Sequence, residues 1–145
     1  MIRPATPRDL VALLRMRRAL WPEDADSQEE DLQDFFAGRS RQALAQLLAD
    51  EGGEAVGFVE LSIRAYAEDC KTDRVAFLEG WFVEPAWRRR GIGRALVAAA
   101  EAWGRAQGCS EFASDTKADN LASAAAHLAL GFEDAGAIRC FRKRL

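Results

Sequence analysis

The sequence predicts a single α/β domain, a mixed α+β sheet with helices on both of its faces. Three observations predict this fold. The 145 residues suit one domain with one core. Extended and helical patterns alternate along the chain without a linker or an internal repeat. A nearly all-apolar stretch, residues 76–83, precedes two glycines and a long amphipathic segment, the order of a buried strand, a turn and a helix.

The first half of the chain predicts a strand, two helices and a hairpin. Residues 2–5 are extended, and residues 8–21 place leucines on one helical face before a proline. Residues 28–37 follow a serine with a glutamate three positions later, as in a capping box, and precede a glycine. Residues 42–49 have helical propensity, but a DEGGE turn joins them to the strand pattern of residues 55–63. We therefore assign them to a partner strand.

The second half predicts four strands and two helices. Residues 76–83 form a strand buried on both faces. Residues 91–107 show apolar side chains at helical spacing and end at a glycine. Residues 111–116 are extended, and residues 122–130 are helical up to another glycine. Two final strands fit into residues 132–145, so that most neighbouring strands are antiparallel and one pair is parallel.

Composition and charge exclude several classes of protein. No apolar run is long enough for a transmembrane helix, and the N-terminus lacks the apolar core of a secretory signal. Three cysteines without CxxC spacing argue against a disulfide framework or a metal site and favour a cytoplasmic location. Every charged residue within 22–38 is acidic. Such a run is typical of a solvated helix face or of a surface that attracts a cationic ligand.

Residues 84–97 place four arginines around two glycines at the start of a helix. Gly91 and Gly93 let a ligand approach the backbone, and the helix leaves its first amides unpaired at the positive end of its dipole. The arginines add charge-assisted hydrogen bonds to an anion such as a pyrophosphate. A Walker loop and the third glycine of a Rossmann fingerprint are absent. The net charge of −3, without a second basic stripe, argues against a nucleic-acid partner.

The segment RRRGIG, residues 88–93, resembles the acetyl-CoA signature of the GCN5-related N-acetyltransferases. Residues 83–85 (Val-Glu-Pro), Asn120 and residues 131–132 (Gly-Phe) fit the same pattern, and the resemblance spans nearly the whole chain. It implies an acyl-CoA acyltransferase fold with a splayed parallel strand pair at the centre of the sheet, and acetyl-CoA as cosubstrate without a metal. The residues it implies for cofactor binding are Trp81, Phe82, Val83, Arg88, Arg89, Arg90, Gly91, Ile92, Gly93, Arg94 and Asn120.

Four stretches are similar to one branch of this family, the aminoglycoside 6′-N-acetyltransferases. They are residues 20–22 (LWP), 77–83 (FLEGWFV), 113–116 (ASDT) and 141–144 (FRKR). The likeness implies an antibiotic-resistance enzyme that acts on a polycationic small-molecule amine. It also implies a homodimer with no nucleic-acid or membrane partner.

Glu79 and Asp115 each interrupt a predicted strand. Either carboxylate alone is typical of an edge-exposed or ion-paired side chain. Two carboxylates at the point where neighbouring strands separate form a site that suits the ammonium groups of a polycation. Such an amine must lose a proton before it attacks a thioester, since a lysine-type amine has a pKa of about 10.4. We expect Glu79, directly or through water, to accept that proton and Asp115 to orient the sugar, with no covalent enzyme intermediate.

Four further side chains are candidates for the acceptor site. Trp21 and Tyr66 are equally typical of stacking on sugar rings and of ordinary packing. His127 stands where many family members have a tyrosine, and it suits either protonation of the departing thiolate or packing within its helix. Asp134, or Glu133 beside it, is the nearest candidate for an acidic residue expected near the last strands.

Other functions are also compatible with the sequence. One is acetylation of another small amine or of a peptide N-terminus, and a peptide would require an extended groove with backbone partners. Another is a non-catalytic CoA-binding module, which would tolerate loss of Glu79. A nucleic-acid binder that used the arginine cluster would lose affinity steeply with salt.

Overall fold

A computed structural model describes residues 1–145, and its centre is a five-stranded sheet in the order β1-β2-β3-β4-β5. The strands are β1 (Ile2–Pro4), β2 (Ala45–Glu51), β3 (Glu54–Arg64), β4 (Val75–Val83) and β5 (Phe112–Ser114). All neighbours are antiparallel except β4 and β5, which are parallel. The predicted mixed sheet is confirmed, but the central position expected for its parallel pair is wrong: the pair lies at one edge, because no further strand follows β5.

Helices cover both faces of this sheet, as predicted. They are α1 (Leu10–Leu20), α2 (Gln28–Phe36), α3 (Ile92–Ala106) and α4 (Leu121–Ala129). Leu13 and Leu32 of the first two helices pack on Phe58, whereas Leu96 of α3 packs on Val59. Because successive side chains of a strand point to opposite faces, adjacent residues of β3 serve two separate cores. No helix is both long enough and apolar enough to span a membrane.

Two details of the predicted elements are wrong. Ser27 does not form a capping box, because its own backbone is helical and its hydroxyl donates to the carbonyl of Asp24 at 3.1 Å. The two strands expected within residues 132–145 are absent, and residues 133–145 are exposed without regular structure. A strand is stable only when its peptide groups find partners, and the neighbouring edge strand, β5, has only three residues.

A buried polar network anchors α1 to the sheet. Arg17 and Glu60, only 5% and 9% exposed, form an ion pair. Gln28 accepts a hydrogen bond from Arg17 Nε at 2.7 Å, and Gln46 donates one to Glu60 at 2.6 Å. The guanidinium of Arg17 also lies 4.9 Å from the ring centre of Trp21. The network therefore fixes the end of α1, from which Trp21 follows.

Candidate active site

The turn before α3 forms an anion cradle from backbone groups. The first helical hydrogen bond of α3 runs from the amide of Ala95 to the carbonyl of Gly91 at 3.0 Å. The amides of the first three residues of α3 therefore have no intrahelical partner. Arg89 and Gly91 have φ angles of 64° and 82°, which turn the chain sharply at this point. Open amides at the positive end of a 15-residue helix suit a phosphate group.

Beyond β5, one side of β4 is open. Pairing of β4 with β5 ends at Leu78 and Ser114, whereas β4 continues to Val83. The amide of Glu84 donates to a backbone carbonyl of β3. Because successive peptide groups of a strand point to opposite sides, those of Trp81 and Val83 face the open side of β4. These groups can pair with an extended amide-bearing arm in the manner of an added strand.

Two side chains border this open edge. Arg88 donates from Nε to the carbonyl of Val83 at 2.8 Å and so already occupies one of its acceptors. The indole Nε1 of Trp81 is buried without a hydrogen-bond partner, and a Cβ added at Gly93 would lie 3.4 Å from it. An orphaned donor beside a cradle of open amides indicates that a polar ligand belongs there. The residues present therefore fit a diphosphate with a pantetheine-like arm.

Glu79 and Asp115 lie together, as predicted. In the β3–β4 register Gly80 pairs with Glu60 and Leu78 with Leu61, so Glu79 is the extra residue of a β-bulge. Asp115 follows Ser114, the last β5 residue paired with β4. The two carboxylates thus occupy equivalent positions on the two strands at the point where these strands separate.

Glu79 is not a free carboxylate. Arg64 binds it through two hydrogen bonds, from Nε to Oε1 at 2.9 Å and from Nη2 to Oε2 at 2.7 Å. The hydroxyl of Ser62 donates to the same Oε1 at 2.5 Å. The pKa of Arg64 is raised, mainly by its hydrogen bond to Glu79 and further by the charges of Glu79 and Asp115. The site thus contains a cation that the sequence analysis did not anticipate.

Trp21 lies against the bulge. A Cβ at Gly80 would stand 2.6 Å from Cη2 of Trp21, so only glycine leaves room for the indole. The ring also meets Phe58 edge to face at 6.2 Å between centroids. Trp21 therefore packs on one face of the sheet beside Glu79, where it can border an acceptor as well as complete the core.

We expect Gly80→Ala to raise the KM for the acceptor about tenfold, because the added methyl group displaces Trp21 and weakens its contact with the acceptor. A loss of about 1.4 kcal/mol in that contact corresponds to a factor of ten. The KM for acetyl-CoA should stay within about twofold, because the cradle lies elsewhere. Steady-state kinetics of Gly80→Ala, Trp21→Ala and the double variant check this. If Gly80→Ala costs as much in the Trp21→Ala background as in the wild type, the clash with Trp21 is not its cause.

His127 is held in one orientation at the base of the site. Its Nδ1 lies 2.7 Å from the carbonyl oxygen of Ser123, which can only accept, so Nδ1 carries a proton. Its Nε2 lies 2.8 Å from the hydroxyl of Ser114. The ring also meets Trp81 edge to face at 5.3 Å between centroids. His127 therefore packs against Trp81 and is also hydrogen-bonded to Ser114 at the end of β5.

The remaining predicted residues form no hydrogen bond or ion pair with Glu79 or Asp115. Tyr66 is 66% exposed on the loop after β3, and the nearby charge of Glu68 raises its pKa. Asn120 caps α4 by accepting the amide of Ser123 at 3.1 Å, which leaves its side-chain NH₂ free for a ligand. Asp134 accepts the amide of Gly136 at 2.8 Å within the exposed tail and has no contact with the carboxylate pair.

The acidic run of residues 22–38 is partly compensated. Glu23 pairs with Lys117 at 3.4 Å, and Asp34 pairs with Arg39 at 3.0 Å. A backbone hydrogen bond and then the bond from Lys117 lower the pKa of Glu23. Because Lys117 closely follows Asp115 in the chain, this contact ties the acidic run to the rim of the carboxylate site.

Three residues that shape the site were not predicted from the sequence: Ser62, Arg64 and Ser114. The first two alternate along β3 on the face that meets Glu79, and polar residues two apart at the end of an apolar strand could have indicated this face. Ser114 lies within residues 113–116, where only the aspartate was predicted as a site residue. Its link to His127 depends on the packing of α4, which no local pattern predicts.

The model of the Acetyltransferase (GNAT) family matches residues 10–132, and the chain belongs to this family. Among its relatives are two enzymes named aminoglycoside N(6′)-acetyltransferase type 1. The one from Klebsiella aerogenes is 49% identical, over 100% of this chain and 97% of that protein. The one from Stenotrophomonas maltophilia is 43% identical, over 99% of this chain and 93% of that protein.

Solved structures agree with this assignment. AAC(6′)-Iy in complex with the bisubstrate analog CoA-S-monomethyl-acetylneamine superposes with a TM-score of 0.91 at 37% identity, over 100% of this chain and 98% of that chain. The aminoglycoside antibiotic 6′-N-acetyltransferase AAC(6′)-Ih from Acinetobacter baumannii gives 0.90 at 38% identity, over the same shares. The acyltransferase fold predicted from residues 88–93 is thereby confirmed.

Proposed function

We propose that this protein is an aminoglycoside 6′-N-acetyltransferase that transfers an acetyl group from acetyl-CoA to a primary amine of an aminoglycoside and so confers resistance. The observation that carries the proposal is that β4 leads directly to the anion cradle before α3 and bears one carboxylate of a pair at the point where it parts from β5. The cradle suits the diphosphate of CoA, and the carboxylates suit a polycation. The relatives' names and the CoA-containing neighbour support the same substrates.

The cofactor site comprises the arginine–glycine turn and the open edge of β4. The amides of Ile92, Gly93 and Arg94 would hold the diphosphate, with the neighbouring arginines adding charge. The peptide groups of Trp81 and Val83 would pair with the pantetheine arm. Acetyl-CoA supplies a thioester, and an amide of the open edge that faces its oxygen stabilises negative charge on that oxygen. The side-chain amide of Asn120 would contact the arm.

The acceptor side must bind an ammonium and then remove a proton from it. Asp115 would hold and orient the ammonium-bearing sugar, and Trp21 and Tyr66 would border its rings. Glu79 would accept the proton directly or through water, which leaves a neutral amine to attack. His127 would protonate the departing thiolate. In its doubly protonated form it would donate from Nε2 to the hydroxyl of Ser114, 2.8 Å away, which passes its own proton to the thiolate and leaves the imidazole neutral with its proton on Nδ1.

A thiol-release assay tests the proposal. Purified protein and acetyl-CoA are incubated with kanamycin, tobramycin, spermidine or an unstructured peptide, and free CoA is measured. We expect turnover with the two aminoglycosides and far less with the polyamine and the peptide, and mass spectrometry should place one acetyl group on the 6′-amine. Release with the peptide alone would instead identify a peptide acetyltransferase, and CoA binding without release with any amine would indicate a binding module.

We further infer that the active molecule is a homodimer that pairs or exchanges its C-terminal segments. Residues 133–145 have no partner within the chain, although Ile138 and Phe141 are apolar and 65% and 91% exposed. The free side of β5 offers an unpaired edge that a segment from a second copy can join. Such pairing would also carry Asp134 towards a site.

Light scattering on a size-exclusion column tests the dimer. The full chain should have twice the mass of one chain, and both removal of residues 135–145 and Phe141→Asp should reduce it to one. A monomeric full chain, or a dimer that survives both changes, would contradict this role of the tail.

We also infer a cytoplasmic location. All three cysteines are unpaired, although Cys140 is exposed, which suits a reducing compartment. The reaction proposed above also requires acetyl-CoA, which is a cytoplasmic metabolite. Fractionation of cells that express the chain should recover it with cytoplasmic markers, and recovery from another fraction would contradict the inference.

A further inference from the structure

Arg64 occupies the place in the acceptor site that an ammonium group would take. Its guanidinium forms two bonds to Glu79, at 2.9 and 2.7 Å, and Ser62 adds a third donor to that carboxylate at 2.5 Å. Bidentate guanidinium–carboxylate pairs are among the stronger charge-assisted contacts in proteins. In this state Glu79 has few acceptor positions left for an incoming cation.

Two further contacts keep the guanidinium there. It stacks on the ring of Phe77 with 3.5 Å between Cζ and the ring centre. It also experiences the charge of Asp115, which helps to favour its protonated form. Arg64 thus pairs with Glu79 within the field of Asp115, and its charge offsets part of the negative charge of the two carboxylates.

We propose that Arg64 is the resting counter-ion of the acceptor site, so that every acceptor ammonium group must displace it from Glu79 before the reaction. The inference rests on the function proposed above. A single ammonium that displaces Arg64 from Glu79 exchanges one ion pair for another, so it gains little. A polycation places further ammonium groups near Asp115 and the acidic run of residues 22–38, and these contacts offset the loss of the Arg64–Glu79 pair.

The side chain has room to leave. Arg64 is the last residue of β3, and 42% of its side chain is exposed, so it can turn into water without disturbing the core. The hydroxyl of Ser62 remains on Oε1 of Glu79, which frees Oε2 for the acceptor. The same displacement leaves Glu79 without its guanidinium partner, and loss of a neighbouring cation makes a carboxylate a better proton acceptor.

The test compares two acceptors that differ in the number of charges. Tobramycin carries several ammonium groups, and 6-amino-6-deoxyglucose carries one on the corresponding carbon. The quantity measured is the kcat/KM of each amine in the wild type, Arg64→Gln, Arg64→Lys and Arg105→Gln. The last variant is a matched control, because it removes an ion-paired arginine from the exposed side of α3, where Arg105 pairs with Glu101 at 3.5 Å.

We expect Arg64→Gln to raise kcat/KM by up to about tenfold, and by a similar factor for both amines, because both displace the same ion pair. Arg64→Lys should raise both values by less, about threefold, since an ammonium still pairs with Glu79 but cannot form the two-bond contact. Arg105→Gln should keep the wild-type values. If Arg64→Gln does not fold, the values for Arg64→Lys decide alone.

An unchanged or lower kcat/KM for both amines in Arg64→Gln would overturn the inference and leave Arg64 as a support for Glu79. Failure of the proposed function has a different signature, namely no CoA release from the wild type with either amine. Calorimetric Kd values for the two amines then test Arg64 directly. If neither Kd falls in Arg64→Gln, or if neither amine binds, the counter-ion role is overturned as well.

Discussion

Replacing Glu79 with glutamine is expected to lower kcat/KM for an aminoglycoside by about 10²–10⁴-fold, the range that a positioned general base contributes. Glutamine has nearly the same shape, and it can still accept the hydrogen bond that Ser62 now donates to Glu79. It cannot take a proton from an ammonium. Because Glu79 lies on the bulge and the diphosphate cradle lies in the turn before α3, the Kd of CoA should change by less than about twofold.

The matched control for this variant is Glu101→Gln. Glu101 also pairs with an arginine, but on the outer surface of α3. Its replacement should leave kcat/KM within about twofold, since exposed ion pairs contribute little. Kinetics with acetyl-CoA and tobramycin, together with calorimetry for CoA, decide the matter. Near-normal turnover by Glu79→Gln would exclude Glu79 as the base and leave Arg64 and Asp115 as the groups that organise the acceptor.

Replacing Gly91 with alanine is expected to raise the Kd of CoA at least about tenfold, a loss of roughly 1.4 kcal/mol. The φ angle of Gly91 is 82°, and no atom lies within 4 Å of an added Cβ, so the effect of a methyl group would come from the left-handed backbone and not from a clash. An alanine in this left-handed conformation also costs about 1 kcal/mol of folding free energy. Backbone that relaxes to avoid that cost would aim the amides elsewhere.

Gly108→Ala separates these two effects. Gly108 has a φ angle of 83° with the same open surroundings, but it follows the other end of α3. Both variants should lose similar stability in urea denaturation, and only Gly91→Ala should weaken CoA binding in calorimetry. Equal Kd values for the two variants would mean that the turn before α3 does not hold the diphosphate.

Much of the fold was accessible from local patterns. The strand at residues 76–83, the helix after Gly91 and the hairpin around residues 50–54 were predicted to within a few residues, because apolar periodicity and glycine turns act over short distances. The capping box at Ser27 failed because a preceding 3₁₀ turn, Pro22–Asp24, provides the carbonyl that its hydroxyl binds instead. Residues 132–145 were predicted as two strands from their sequence pattern alone, but a strand also requires a hydrogen-bonded partner.

Local sequence was sufficient to identify the family and to predict a cofactor turn at residues 88–93 and adjacent positions for Glu79 and Asp115. Each of these depends on residues that are close in the chain or on the ends of two adjacent parallel strands. The contacts of Arg64 with Glu79, of Trp21 with Gly80 and of His127 with Ser114 became visible only in the folded molecule. These contacts join residues 13 to 59 positions apart through a bulge and the packing of helices on the sheet, and no short-range pattern encodes such distances.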